Sequence, residues 1–225
     1  MSPIQSIPLE VLDVKAEPRR EMGDAMRGLL VVLEGIDGTG KSTQVRRLAA
    51  ALRAKSLETL ELREPTDGPY GRQLRRMAKE GRTDAQRERG LFIADRKQDV
   101  ERNILPALER GAVVLLDRYY FSTVAYQGAR GIDPQAIRAE NEAFAPKPDL
   151  LVILDLPVEE ALRRVGKSRA EMADAFEQAD SLQRVKAIYD SFDDPFVLRL
   201  DGAAPEEQIT QRILEQVESL LVERR

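Results

Sequence analysis

The chain has 225 residues, a length that suits one α/β domain with a few appended elements. Lys and Arg number 35 against 39 Asp and Glu, so the net charge is −4 and no global basic field is present to hold duplex nucleic acid. The sequence contains no Cys and no His, which excludes disulfides, thiolate or imidazole metal ligands and catalysis by either residue. No apolar run approaches the ~20 residues of a membrane span, and no apolar leader segment is evident, so we expect a cytoplasmic protein.

The first 27 residues differ in pattern from the rest of the chain. They carry Pro3, Pro8 and Pro18 among scattered charges and a short apolar set. We expect this segment to be an extension outside the core, as a docked strand or a mobile arm, and we expect one domain over residues 28–225.

Five short β-type runs alternate with longer segments of helical periodicity after residue 27. The runs are Leu29 to Glu34, Thr59 to Leu62, Ala112 to Asp117, Leu150 to Asp155 and Phe196 to Leu200. This alternation predicts an α/β fold, a three-layer sandwich with a mainly parallel five-stranded sheet and helices on both faces. Ligands of such sheets collect at the carboxyl ends of the strands.

A phosphate-binding loop follows the first predicted strand and precedes a predicted helix, which predicts a P-loop NTPase fold. Its pattern, G-x-x-x-x-G-K-[ST], lets backbone N–H groups surround nucleotide phosphates at a helix N-terminus. Lys41 supplies a mobile positive charge, and Ser42 is a candidate Mg²⁺ ligand. The predicted ATP-binding residues are Gly35, Ile36, Asp37, Gly38, Thr39, Gly40, Lys41, Ser42 and Thr43.

The third apolar run ends in Asp117, which is followed by Arg118 and Tyr119. A carboxylate at the tip of a buried strand is where P-loop enzymes place the residue that holds Mg²⁺ or its water, and an adjacent Arg can bind phosphate as a fork. Taken alone, the pair is equally typical of a salt bridge at a strand end.

Four segments in the same order resemble the thymidylate kinase family. They are the P-loop with an acid at its third position (Asp37), an Arg-Glu-Pro turn at 63–65, Leu-Phe-Ile-Ala-Asp-Arg at 91–96, and Asp-Arg-Tyr-Tyr-Phe-Ser-Thr-Val-Ala-Tyr-Gln at 117–127. The last segment matches D-R-[YHW]-x-x-S-x-x-A-[YF]-[QST] throughout. The resemblance covers roughly residues 28 to 221.

This resemblance implies a nucleoside monophosphate kinase domain that transfers the γ-phosphoryl group of ATP to dTMP, giving dTDP and ADP, with Mg²⁺. It also implies a homodimer and no nucleic-acid or membrane partner. The implied catalytic residues are Lys41, Asp37, Arg118, Arg164 and Arg169, and the implied metal residues are Ser42 and Asp117.

The resemblance also assigns roles around the acceptor nucleotide. Phe92 matches a residue that stacks on thymine, Arg96 one that reaches a base carbonyl, and Asp37 one that accepts from the sugar 3′-hydroxyl. Tyr126 matches an aromatic residue that crowds the sugar 2′ position, where a ribose hydroxyl would lack a partner. The implied acceptor-binding residues are Asp37, Pro65, Arg75, Phe92, Arg96, Arg118, Ser122, Thr123, Tyr126 and Gln127. For Arg75, a solvated helix face is the open alternative, because Arg72 and Arg76 flank it.

A basic segment at about 163–178 is expected to form a lid over the phosphates. The P-loop's variable positions hold no Arg, so the cations that neutralise the transferring charge are expected from the lid, as in bacterial members of the family. The family's lid usually carries an Arg where this chain has Ala175. Either Lys167 or Arg169 takes over its role, or transfer is slower than usual.

Two other functions are alternatives to a kinase. A nucleotide-dependent switch protein would carry an [NT]-K-x-D motif and a D-x-x-G motif after the third strand, where this chain reads Asp117-Arg118-Tyr119. A diverged family member with low activity, or one acting on another pyrimidine monophosphate, is the second alternative, motivated by Ala175.

Overall fold

The computed structural model describes residues 28–80, 84–166 and 172–224, without the side chains of 172–178. Within these ranges, no helix is both long enough and apolar enough to cross a membrane. The expectations for residues 1–27, Lys167 and Arg169 lie outside the described residues.

Five strands form one parallel sheet, as the sequence predicts. Their order across the sheet is β2-β3-β1-β4-β5, so the P-loop strand is central. The strands are β1 (Leu29–Glu34), β2 (Thr59–Arg63), β3 (Val113–Asp117), β4 (Leu150–Asp155) and β5 (Val197–Asp201). Three of the expected runs were wrong by one residue at one or both ends: β2 extends to Arg63, β3 begins at Val113 rather than Ala112, and β5 is Val197–Asp201 rather than Phe196 to Leu200. The shifts follow from the pairing register, which aligns Arg63 with Asp117 and Asp155 with Asp201.

Helices cover both faces of the sheet. Alternate residues of β1 belong to two separate apolar cores, with Leu29, Val31 and Leu33 in one and Leu30 and Val32 in the other. The helices are α1 (Lys41–Ala54), α2 (Pro69–Glu80), α3 (Ala85–Asp99), α4 (Leu105–Glu109), α5 (Tyr120–Gly128), α6 (Pro134–Glu142), α7 (Val158–Arg164), α8 (Met172–Asp190) and α9 (Glu206–Glu223). Helices α1 and α9 pack on the first core, while α5 and α8 pack on the second. Strand residues therefore face opposite layers by their period of two.

Helix α3 continues into α4 through a π-helical turn at Val100–Ile104, which the periodicity did not predict. One extra residue per turn shifts the apolar face, and Val100 and Ile104 are both buried in the core. The turn thereby lets one continuous helical segment line the candidate site at its start and the sheet core at its end.

Candidate active site

The phosphate-binding loop lies between β1 and α1 at the carboxyl edge of the sheet. Gly35 and Gly40 adopt φ angles of 136° and 94°, which residues with a β-carbon rarely adopt. A β-carbon at Gly35 would lie 2.6 Å from the carbonyl oxygen of Leu154 on β4. Glycine at position 35 is therefore required by close approach as well as by backbone conformation.

Lys41 is folded back onto this loop. Its Nζ donates to the carbonyl oxygens of Gly35 at 3.0 Å and Ile36 at 2.8 Å, and the residue is 6% exposed. Burial, together with the positive charge of Arg118, lowers the pKa of Lys41 to about 8. The ammonium is therefore held inside the loop in a setting where an anionic ligand would stabilise its charged form.

Ser42 and Asp117, the two predicted metal residues, are in direct contact. The Ser42 hydroxyl hydrogen-bonds to Asp117 Oδ2, and the buried Asp117 Oδ1 has no hydrogen-bond partner in the described part of the chain. Mg²⁺ sites commonly combine one or two protein oxygens with substrate phosphates and water. Across the same ranges, no group of three or more His, Cys, Asp or Glu could hold a metal by itself. An orphaned carboxylate oxygen beside a hydroxyl fits a Mg²⁺ ion that is shared with a bound nucleotide.

Arg118 reaches across the sheet edge to the P-loop. Its backbone has a φ of 71°, and its amide donates to the Leu33 carbonyl at 3.1 Å. Its guanidinium donates to Asp37 Oδ1 at 2.5 Å and to Ser122 Oγ at 2.9 Å, and it lies 5.3 Å from the ring centre of Tyr126. Partial desolvation opposes ionisation of Asp37, but Arg118 and Lys41 hold the pKa of this carboxyl below its usual range.

Glu34 anchors this turn, a role that the sequence analysis missed. The carboxylate is fully buried and accepts hydrogen bonds from the amides of Tyr119 (2.8 Å) and Ser122 (3.0 Å), the N-terminal amides of α5. It also accepts from the hydroxyls of Ser122 (2.6 Å) and Tyr189 on α8 (2.9 Å). Charge-assisted bonds from a helix N-terminus stabilise a buried carboxylate. Glu34 therefore fixes the turn between β3 and α5, from which Arg118 projects.

A cleft of about 170 Å³ opens beside the ion pair of Asp37 and Arg118. Predicted acceptor residues supply most of its wall: Asp37, Pro65, Phe92, Arg96, Arg118, Ser122, Thr123, Tyr126 and Gln127. These residues come from the P-loop, the turn after β2, α3 and the start of α5. The structure thus brings together in one cleft nine residues that are dispersed over 91 positions of the sequence.

Arg96 is 1% exposed at the floor of this cleft and is paired with Glu64, which is 3% exposed. The Nε and Nη2 atoms of Arg96 donate to Glu64 Oε2 at 2.8 and 2.6 Å. Burial raises the pKa of Glu64 to about 8, although Arg96 opposes this shift. The sequence pattern singled out Arg96 but gave no role to its buried partner.

Glu88, Gln127 and Arg130 form a polar group at another part of the cleft wall. Arg130 Nη1 hydrogen-bonds to Glu88 Oε2, and the Gln127 amide donates to the same carboxylate at 3.2 Å. Glu88 and Arg130 were not among the predicted site residues, because a lone acid and a lone base 42 positions apart give no sequence signal for contact. The packing of α3 beside α5 and the turn that follows α5 brings them together.

Arg75 lies outside the cleft. Its guanidinium donates to the carbonyl oxygens of Pro65 at 2.9 Å and Thr66 at 2.7 Å, and to Asp67 Oδ1 at 2.6 Å. In this arrangement Arg75 braces the turn that carries Pro65 into the cleft wall. Its assignment to the acceptor phosphate stays a prediction.

Arg164 lies at the end of α7, where the predicted lid begins. Its Nη1 donates to the Gly202 carbonyl at 2.9 Å, and its Nε donates to Glu160 at 3.1 Å. Gly202 follows β5 and is connected to the sheet edge through the Asp155 carbonyl at 2.6 Å. The lid's expected second half from residue 172 onward belongs to α8, where Ala175 lies.

A P-loop nucleotide-binding protein is defined by four features of this site: the central β1, its glycine loop, the buried Lys41 and the contact of Ser42 with Asp117. The adjoining cleft is that of a nucleotide kinase. A family model for thymidylate kinase matches residues 33–213. The chain belongs to the thymidylate kinase family.

Curated relatives match more than four fifths of this chain. A thymidylate kinase of Akkermansia muciniphila is 50% identical over 187 residues, covering 83% of this chain and 90% of the relative. A thymidylate kinase of Desulfotalea psychrophila is 42% identical, with coverage of 86% and 96%. A protein described as a probable thymidylate kinase in Archaeoglobus fulgidus is 40% identical, with the same coverages.

Proposed function

We propose that this protein transfers the γ-phosphoryl group of ATP to dTMP, giving dTDP and ADP. The observation that carries the proposal is the ion pair of Asp37 and Arg118, which joins the phosphate loop to the cleft containing Phe92 and Arg96. A P-loop alone supports only nucleotide binding. A second cleft that shares Asp37 with the loop supplies the place for an acceptor.

The donor side is built around Lys41. A triphosphate in the loop would replace the carbonyl oxygens that Lys41 now contacts as partners for its ammonium. Phosphoryl transfer forms a bond between an acceptor phosphate oxygen and the γ-phosphorus and breaks the bond to the β-γ bridging oxygen, with charge spread over the equatorial oxygens. Lys41 and Arg118 neutralise that charge from the protein side, and Arg164 and Arg169 are the proposed contributions of the lid. The acceptor is already an anion, so no strong general base is required.

Ser42 and Asp117 would hold the Mg²⁺ ion. Mg²⁺ at this position would screen the charge between donor phosphate oxygens. Asp117 Oδ1 is the buried atom left without a hydrogen bond, and it is therefore the natural oxygen for the ion or its water. The Ser42 hydroxyl, now hydrogen-bonded to the other oxygen of the same carboxylate, is within reach of the same point.

The acceptor cleft suits a pyrimidine deoxynucleotide. Phe92 offers an aromatic face and Arg96, one helical turn later, offers N–H groups for a base carbonyl. Asp37 is proposed to accept from the sugar 3′-hydroxyl, while Tyr126 occupies the side where a 2′-hydroxyl would have to be desolvated. Pro65, Ser122, Thr123 and Gln127 complete the wall, and Arg118 is the proposed partner of the acceptor phosphate.

Initial rates with a panel of nucleoside monophosphates, at fixed ATP and Mg²⁺, test the proposal. We expect dTMP to be the preferred acceptor, with one ADP formed per dTDP. Equal rates with all monophosphates and negligible turnover of dTMP would contradict it. Preference for dUMP or UMP, or tight nucleotide binding with little turnover, would favour the alternatives raised by Ala175.

The resemblance to the family supports three further proposals. We expect a homodimer, a cytoplasmic location, and no nucleic-acid or membrane partner. Light scattering on a size-exclusion column measures the mass of the assembly directly, and a mass of one 25.3 kDa chain would contradict the dimer.

A further inference from the structure

We propose that Glu64 is the positioning residue of the acceptor site, because it fixes the guanidinium of Arg96 in the orientation that reads the base. This inference rests on the proposed function. Among the described residues, the side chain of Glu64 hydrogen-bonds to Arg96, so it would act on the acceptor through Arg96. Both side chains line the cleft and both are almost completely buried.

The hydrogen bonds of Arg96 determine which of its N–H groups can serve a ligand. A guanidinium has five N–H donors in a rigid plane. Nε and one N–H of Nη2 are directed to Glu64, the second N–H of Nη2 to Thr123 Oγ1 at 3.1 Å, and one N–H of Nη1 to Asn141 Oδ1 at 2.5 Å. In the described contacts, the second N–H of Nη1 is left to meet an acceptor atom such as a base carbonyl.

Glu64 is the group that removes the freedom of this guanidinium. Glu64 Oε2 accepts hydrogen bonds from two N–H groups along one edge of the guanidinium, whereas Thr123 and Asn141 each accept one. Asn141 is itself fixed, since its amide nitrogen donates to the Ile137 carbonyl at 2.8 Å. Because the fork is planar, locking Nε and Nη2 against one carboxylate oxygen also sets the direction of Nη1.

The same arrangement determines the hydrogen-bonding role of the Thr123 hydroxyl. Arg96 can only donate, so Thr123 Oγ1 must accept from it, and the hydroxyl proton of Thr123 is directed elsewhere. Thr123 lines the cleft, so its hydroxyl is available there as a second donor beside Arg96. A thymine carbonyl accepts both kinds of donor.

The environment of Glu64 argues against a role in stability alone. Its second oxygen, Oε1, is buried without a hydrogen-bond partner in the described residues, and Asp95 and Asp99 add negative charge nearby. Leaving a buried carboxylate oxygen unsatisfied is costly for folding. A site that keeps this carboxylate in place despite the cost is expected to use it, as supporting residues orient the groups that contact ligands.

Equilibrium binding of dTMP and of ADP, measured by calorimetry on the full chain, tests the inference. The measurement is made at pH 9, above the pKa of about 8 of Glu64, so that the carboxylate is ionised in the wild type. Under this condition Glu64→Gln keeps the shape but removes the charge that holds the guanidinium, so we expect dTMP affinity to fall by about tenfold, the loss of one charge-assisted hydrogen bond. ADP affinity should stay within about twofold, because distant sites act independently. Glu64→Asp keeps the charge and shortens the reach. It should weaken dTMP binding as well, and it replaces Glu64→Gln if the latter fails to fold.

Two comparisons separate positioning from a general loss of structure. In an Arg96→Lys background, adding Glu64→Gln should change dTMP affinity by less than about twofold, since the oriented group is already lost. Glu61→Gln is the matched control. It lies on β2, three residues before Glu64, and its carboxylate pairs with Arg53 at 2.6 Å, so both affinities should be unchanged.

The inference is overturned if folded Glu64 variants bind dTMP normally, if ADP affinity falls in parallel, or if the effects of Glu64→Gln and Arg96→Lys are additive. Wild-type turnover of dTMP tests the proposed function separately. A wild-type enzyme that phosphorylates dTMP, with Glu64 variants that bind it normally, would overturn only the role of Glu64.

Discussion

Asp37 Oδ1 and Arg118 Nη2 are 2.5 Å apart, and this contact closes the gap between the phosphate loop and the acceptor cleft. The two residues are 81 positions apart in sequence and are brought together by the parallel pairing of β1 with β3. The proposed acceptor offers each of them a different group, a sugar hydroxyl to the carboxylate and a phosphate to the guanidinium. Ligand binding is therefore expected to exchange an internal ion pair for two contacts with the same nucleotide.

The 3′-hydroxyl contact of Asp37 can be isolated with a modified substrate. Wild-type enzyme should bind 3′-deoxy-dTMP about tenfold more weakly than dTMP, because a carboxylate loses its hydrogen-bond donor. In Asp37→Ala the two nucleotides should bind equally. A tenfold preference that persists in Asp37→Ala would place the sugar contact on another residue.

The affinity for ATP should depend on pH through Lys41. The pKa of about 8 in the free protein will rise when phosphates bind, so the protonated form binds ATP better. The KM for ATP should therefore be flat below pH 8 and rise towards about tenfold per pH unit above it. In the Lys41→Arg variant the side chain at position 41 stays charged at all these pH values. The KM for ATP of this variant should therefore be higher than that of the wild type but should not vary from pH 7.5 to 9.5. A flat wild-type profile would contradict this environment for Lys41.

The contact of Ser42 with Asp117 predicts a specific metal phenotype. Ser42→Ala should raise the Mg²⁺ concentration for half-maximal activity at saturating ATP by about tenfold, at the low end of losses caused by altering partners of metal ligands. Asp117→Asn should act in the same direction. Ser191→Ala, which removes an exposed hydroxyl that donates to the Ile188 carbonyl at 2.7 Å, is the control. Unchanged Mg²⁺ dependence in both site variants would exclude this pair as the metal site.

The unfolding free energy should fall as pH rises from about 5 to 8. The sequence lacks His, so few groups other than shifted ones titrate in this window. Glu64 has a folded pKa of about 8 against an ordinary value of 4.5, so the folded state retains a proton that the unfolded state has lost. The resulting stabilisation is present at low pH and is lost as pH rises through 8. The depressed pKa of Lys41 acts only above pH 8.

Urea unfolding of wild type and Glu64→Gln at pH 5.5 and 8 measures this dependence. The difference between the two pH values should shrink in Glu64→Gln. Asp99→Asn should reduce this difference in unfolding free energy further, because burial also raises the pKa of Asp99. A wild-type protein that is more stable at pH 8 than at 5.5 would show that Arg96 keeps Glu64 ionised throughout.

The sheet was predictable because its signal is local. The three inner strands β1, β3 and β4 are runs of almost wholly buried apolar residues, and the expected bounds of β1 and β4 agree with the structure at both ends. The edge strands β2 and β5 are only half-buried, and their expected bounds differ from the structure. The glycine loop was equally readable, since its conformation depends on residue types at fixed spacing. The π-helical turn at Val100–Ile104 was not, because an added residue in a helix leaves a pattern that ordinary periodicity also tolerates.

The site was predictable where a motif supplied the residues and not where packing did. Phe92, Arg96 and Gln127 could be identified from their segments, and they line one cleft. Glu34 could not be distinguished from an ordinary strand-end acid, since its partners on α5 and α8 are 85 to 155 positions away. Physical chemistry assigns such buried carboxylates their meaning only after the donors around them are known.

At Arg118, whose backbone is left-handed, the thermal stability of the protein and its catalytic turnover favour different residues. A side chain at a φ of 71° costs about 1–2 kcal/mol that glycine does not incur. Asp37 is 69% exposed and Arg118 13%, so the ion pair and the hydrogen bond from Arg118 to Ser122 together offset about as much free energy as this strain costs. Arg118→Gly could therefore yield a protein that survives heating as well as the wild type and has lost its proposed grip on the acceptor phosphate. A directed-evolution campaign scored on heat survival alone would enrich inactive protein at this position.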